Sequence, residues 1–182
     1  MTAQRQSVKK GQHMGWSAEV VARTVATGIG ATMVMDVAGL LRARLFGVPG
    51  LDWGLVGRWA AGIARGRFLL PPGQVARATT PSERLAGWGL HYSVGIVLAA
   101  GLTLLCGPAW LISPPLLPVL GYGTATVVLP FFILQPGLGL GVAARKVPTP
   151  WLARRRSVVT HAIFGCGLYL SARAGALLQL LP

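Results

Sequence analysis

Five polar side chains stand inside stretches that are otherwise apolar: Asp36, His91, Tyr92, Gln135 and His161. A carboxylate and two imidazoles are groups that exchange protons near neutral pH or ligate Zn²⁺ and Fe²⁺. The amide and the phenol add hydrogen-bonding capacity beside them. The run "GIGATMVMDVAGLL" (28–41) surrounds Asp36 with apolar, small and hydroxyl residues. A carboxylate in such a run is costly unless it is paired or has a function.

The distribution of charge indicates what must position these groups. The 182-residue chain is 53% hydrophobic, only 12% charged, and has a mean hydropathy of +0.58. Residues 85–144 hold no Asp, Glu, Lys or Arg, and no ordinary soluble surface can be built from such a stretch. Since a membrane helix needs roughly 20 apolar residues, the pattern predicts an all-α, integral membrane four-helix bundle. The expected spans are about 18–41, 86–106, 116–138 and 158–181, within one membrane domain (18–182) that follows a polar, basic tail (1–17). No short apolar stretch with an A-x-A-like cleavage site follows that tail, so the first helix reads as uncleaved.

Segment 42–87 is too long for a turn. Within it an additional amphipathic helix is expected at about 52–65. Trp53, Val56, Trp59, Ala60 and Ile63 share one face, and Arg58 and Arg65 share the opposite one. Asp52 precedes it as an N-cap. Tryptophan on one side and arginine on the other suits an interfacial helix in the headgroup plane. In the third span Pro130 predicts a kink, and "QPGLGLG" (135–141) predicts a break. Ala22, Ala26 and Gly30, and again Gly167, Ser171 and Gly175, recur four apart, which lets helix backbones approach and offers faces for a homo-oligomer.

The net charge of +13 reads as a membrane signature. Segment 42–87 carries seven of the 17 Lys and Arg residues and segment 142–156 carries five, while 107–115 carries none. The positive-inside rule then directs both basic segments to the cytoplasm and both termini outward. Arg5, Lys9 and Lys10 run against this, and a start at Met14 would remove them. The expected partner is a bilayer with anionic headgroups. Nucleic acid is not expected, because the charges flank apolar spans. Cys106 and Cys166 fall inside spans and form no metal-type pattern.

With these boundaries Asp36, His91, Gln135 and His161 fall at similar depths, one per span, toward the basic side, with Tyr92 and Thr160 beside the histidines. Three readings stay open. Asp36, His91 and His161 could ligate a metal, with bis-histidine haem as a variant, but they come singly and without local ligand spacing; no metal or cofactor is expected. The cluster could form a proton- or ion-linked site for small-solute transport or a small membrane enzyme. The plainest reading is structural, with Asp36 hydrogen-bonded to a histidine or to Arg84 and pinning the helices together. No G-x-S-x-G, Walker A or Cys-x-x-Cys motif is present.

The strings "GIGATMVMD", "VGRW" with "GRF", "ERLAGWGLHYSVGI", "LPFFILQPGLGLGVAARKVPTP" and "THAIFGCGLYL" occur in this order. From about Gly28 to Leu170 the chain resembles the bacterial membrane-protein family known as domain of unknown function family 2938. The resemblance implies a bacterial multi-pass inner-membrane protein and brings no activity with it. Asp36, Arg58, His91, Tyr92, Gln135, Pro136, His161 and Gly165 match the family pattern. The chain departs at "GRFLLPPGQVA", where the pattern has a histidine and Leu70 or Pro71 stands here; this weakens the metal reading.

Overall fold

The structure is a computed structural model that describes residues 16–178. The basic tail with Arg5, Lys9, Lys10 and Met14, and the end of the fourth predicted span at 179–182, lie outside the described residues. Five helices carry the architecture: α1 (Ala18–Phe46), α2 (Trp53–Ile63), α3 (Pro81–Cys106), α4 (Leu116–Gly137) and α5 (Pro150–Leu178). No strand occurs among the described residues.

The helix ends follow local chemistry. Ser17 accepts a hydrogen bond from the Val20 amide at the start of α1, and Gly47 closes that helix at φ +61°. Thr80 and Glu83 form a capping box at the start of α3, with Pro81 in the first turn. Both α1 and α5 overrun their apolar spans into the basic segments, α1 past Arg42 and Arg44 and α5 from Pro150 through Arg154–Arg156. Long cationic side chains tolerate such positions because the charged head can reach outward from an apolar stem.

Pro130 has no amide hydrogen to donate, and the helix answers with a π-helical turn, Pro130–Leu134, in which the Gln135 amide reaches the Pro130 carbonyl. The regular part of α4 ends at Gly137. Gly139 and Gly141 follow with φ of +82° and +76°. A π-helical turn thus stands where Pro130 predicts a kink, and the break occurs where the glycines predict it.

Glycines set the packing of the helices. At the α1–α3 crossing a Cβ on Gly28 would lie 2.6 Å from the Ile96 Cα, and at the α1–α5 crossing a Cβ on Gly167 would lie 2.8 Å from the Ala31 Cα. Gly123 of α4 faces the backbone of Gly165 in α5, and Gly57 of α2 faces that of Gly87 in α3. Of the small-residue faces predicted to permit close approach, Gly30 meets Ser171 within the chain, while Ala22 and Ala26 stay exposed and Gly175 has open space beside it. The main core includes Val20, Leu102, Trp110, Val119, Phe164 and Leu168. A second cluster of Trp59, Leu70 and Leu138 lies where α2 meets the end of α4.

The exterior is apolar. Leu85, Leu105 and Leu117 are 76%, 74% and 77% exposed, and Phe132 is 62% exposed. Such a surface suits hydrocarbon rather than water. Three helices, α1, α3 and α4, are long and apolar enough to cross a membrane. The fourth predicted span, in α5, has the length but also carries Arg154, Arg155, Arg156, His161 and Arg173. Cys106 and Cys166 are free and exposed rather than buried.

Candidate functional site

The site begins with how α2 docks on α3. A Cβ on Gly57 would collide with the Glu83 carbonyl oxygen, and one on Gly87 with the Trp53 carbonyl oxygen. Only glycine at both positions lets the two backbones come this close. The dock is then locked by Arg58. Its Nε and Nη2 donate to the two Glu83 oxygens at 2.8 and 2.7 Å. Its remaining donors reach the carbonyls of Gln74, Arg77 (2.9 Å) and Ala78 (2.8 Å). All five guanidinium hydrogens are thereby used. The hydrogen bond to Glu83 raises the Arg58 pKa above its ordinary value and outweighs the opposing effect of burial.

This corrects the helical-wheel expectation for α2. The helix forms at Trp53–Ile63, but Arg58 is 4% exposed and turned inward. Loop 74–78 brings carbonyls that need donors, and Glu83 brings a countercharge, so burial satisfies groups that would otherwise be orphaned. Much of the apolar face is also covered by protein: Val56 is buried, and Trp59 donates from its indole nitrogen to the Phe68 carbonyl at 2.8 Å, while Ile63 at the helix end is exposed. Arg65 lies beyond the end of the helix and is exposed.

Docked in this way, α2 sets Trp53 against α3. The Trp53 ring stacks on His91 with centroids 3.9 Å apart and planes 28° from parallel. Trp88 meets the same imidazole edge-on at 5.7 Å. Held between them, His91 points its Nε2 at Asp36 Oδ1 of α1, at 2.9 Å. The Tyr92 hydroxyl donates to Asp36 Oδ2 at 3.0 Å. Both oxygens of the carboxylate are engaged by α3. The side chains of His91 and Asp36 are 9% and 21% exposed, so the dyad is shielded without being sealed.

Gln135 and His161 make their hydrogen bonds on the seam between α4 and α5. Gln135 Nε2 donates to Ser157 Oγ at 3.2 Å, while its Oε1 is buried with no partner among the described residues. The Thr126 hydroxyl lies 2.6 Å from the Gly123 carbonyl and 2.7 Å from His161 Nδ1. A carbonyl can only accept, so the hydroxyl donates to Gly123 and His161 Nδ1–H donates to Thr126. Ser157 and His161 are one turn apart on α5 and form a short polar ladder. Thr160 accepts from Arg42 of α1 at 3.3 Å.

The polar residues expected at one depth therefore fall into two sets. Asp36, His91 and Tyr92 touch one another; Gln135 and His161 do not join them, and no hydrogen bond or ion pair among the described residues links Asp36 to His161. No group of three or more His, Cys, Asp or Glu side chains converges as metal ligands among the described residues. Arg84 turns to Thr79 rather than to Asp36. Trp88, Thr126 and Ser157 were not singled out in the sequence, nor was Glu83 as the partner of Arg58. For Glu83 a signal was available, because Thr80-x-x-Glu83 is a capping box that fixes the carboxylate at the head of α3.

No curated protein and no solved structure matches this chain. The model of the family described as "Protein of unknown function (DUF2938)" matches residues 25–174, and the chain belongs to that family.

Proposed function

We propose that this member of the family is a multi-pass bacterial inner-membrane protein, and that its Asp36–His91 pair exchanges protons in support of small-solute transport. Four crossings are proposed: α1, α3, α4 and α5, with segments 42–87 and 142–156 in the cytoplasm. The exposed apolar surface and the confinement of twelve cations, seven plus five, to those two segments support the reading. Four helices are few for a transporter monomer, and the outward Ala22, Ala26 and Gly175 supply a face for a homo-oligomer.

One observation carries the proton-exchange reading. A carboxylate inside an apolar helix is held at 2.9 Å from an imidazole and 3.0 Å from a phenol on the neighbouring helix. Such a pair can hold one proton on either member without a net charge in a low-dielectric setting, and the partial exposure of both side chains lets that proton be exchanged. His91 Nδ1 makes no hydrogen bond to another described residue, so the imidazole has a second nitrogen through which a proton can pass.

The test is proton flux through the purified protein in liposomes that enclose a pH-sensitive dye. Wild-type protein should dissipate an imposed pH gradient faster than empty vesicles, and D36N should return the rate to that of empty vesicles. Equal rates for wild type and empty vesicles would overturn the proposal. A second reading has its own support, since both Asp36 oxygens are already bonded. In that case D36N weakens the α1–α3 contact and changes no flux.

A further inference from the structure

The chain has four acidic side chains, and each is engaged. Glu83 pairs with Arg58 and Arg77, and Asp36 with His91. Asp52 caps the Gly54 amide, and Glu19 pairs with Arg23. No carboxylate is left for the cations of segment 142–156. Arg154 donates to the Ala143 carbonyl at 2.8 Å. The side chains of Arg145, Lys146, Arg155 and Arg156 are exposed and make no hydrogen bond or ion pair among the described residues. Among the described residues no carboxylate faces these four cations, which leaves them open to an anion from outside the chain.

Two of these cations border a built depression. After α4 the backbone takes φ of +48° and +56° at Ala143 and Ala144, a left-handed conformation that alanine disfavours. It is held there by the bond from Arg154 and by the Lys146 amide, which donates to the Leu140 carbonyl at 3.0 Å. The reversal folds the stems of Arg145 and Lys146 over Gly141, where a Cβ would lie 2.8 and 3.1 Å from their Cγ atoms. Between them and the apolar side chains of Leu69, Pro136 and Val142 lies a hollow of about 180 Å³. One wall is cationic, the other is apolar, and the hollow sits at the end of an apolar helix. Those are the complements of a phosphate and of the first carbons of an acyl chain.

We infer that this hollow seats the phosphate headgroup of an anionic phospholipid, with Arg145 and Lys146 on the phosphate and the glycerol and proximal acyl carbons against Leu69, Pro136 and Val142. The inference rests on the membrane placement proposed above but is independent of proton exchange. Cations near a bilayer surface contribute additively to the binding of anionic lipid. A seated lipid would also bridge the loop before α3 to the loop after α4.

The test is lipid retention by the detergent-purified full chain, measured by native mass spectrometry during titration with phosphatidylglycerol, phosphatidylcholine or inorganic phosphate. The expected result is preferential retention of phosphatidylglycerol, weakened about tenfold or more in R145Q/K146Q. R155Q/R156Q loses the same charge from the same segment and should change retention by less than about twofold. All four side chains are exposed, so folding is not at risk, and far-UV circular dichroism checks it. Equal weakening in the two double variants would overturn the site in favour of diffuse charge attraction. Displacement of the lipid by inorganic phosphate at matching concentrations would overturn the lipid assignment in favour of a free anion. Retention of no lipid of either kind would overturn the inference together with the membrane placement, which separates that failure from a failure of the hollow alone.

Discussion

Arg58 and Asp36 are both ionisable groups withdrawn from water near the basic ends of the helices, and the chain treats them differently. Arg58 spends every donor it has, on Glu83 and on three carbonyls of loop 74–78. Asp36 receives two bonds, both from α3, and remains 21% exposed. A saturated guanidinium stays charged and fixed, so it serves as a latch. A carboxylate bonded only from α3 and still partly exposed is neither saturated nor sealed. The two are coupled, because the latch holds α2 against α3 and so keeps Trp53 stacked on His91. Gln135 is a third case: buried at 8% exposure, with one polar atom bonded and one not.

Four substitutions would break or sharpen this contrast. Arg58→Ala strands three carbonyls and leaves Glu83 with Arg77 and the Thr80 amide as its remaining partners, and should cost about 3 kcal/mol in detergent-unfolding titrations. It should also loosen α2, read as a red shift in tryptophan emission as Trp53 and Trp59 become exposed. Loss of under about 1 kcal/mol would show that Arg58 is not a latch. Gly57→Ala places a methyl against the Glu83 carbonyl and should cost about 2 kcal/mol by the same titration. Its spectral shift should match that of Arg58→Ala if glycine packing and the ion pair hold one dock, and a tryptophan spectrum like wild type would separate them. Asp36→Asn keeps the shape and both partners, and should cost about 1 kcal/mol. A cost as large as that of Arg58→Ala would erase the difference between latch and dyad. Gln135→Leu removes a bond to Ser157 together with a buried acceptor that has no partner. The two effects oppose each other, and stability should stay within about 0.5 kcal/mol of wild type. A loss above about 2 kcal/mol would mean that Gln135 is as fully engaged as Arg58.

Much of the fold was legible because a membrane helix satisfies its own backbone and has to advertise only an apolar run. The uncharged stretch 85–144 contains most of α3 and all of α4, and the π-helical turn at Pro130 and the break after Gly137 follow from missing amides and permissive glycines. Pairing between helices was less legible. Depth along a span says nothing about azimuth, and azimuth decides that His91 meets Asp36 while His161 meets Thr126. The face of α2 was misread at Arg58 for a related reason. A helical wheel assigns cations to water, but the partners that draw this one inward are carbonyls of a loop, and carbonyls leave no mark in a sequence.

The sequence by itself determined that the chain is helical, apolar outside and basic at one side, because these properties depend on composition and on contacts between near neighbours. It also placed Asp36, His91, Tyr92, Gln135 and His161 within apolar helices. The tertiary structure alone decided their division into a dyad with a tyrosine on α1–α3 and a hydroxyl-bonded ladder on α4–α5. That division depends on which glycines meet at each crossing and on the rotation each crossing imposes, and both are set by contacts between residues far apart in the chain.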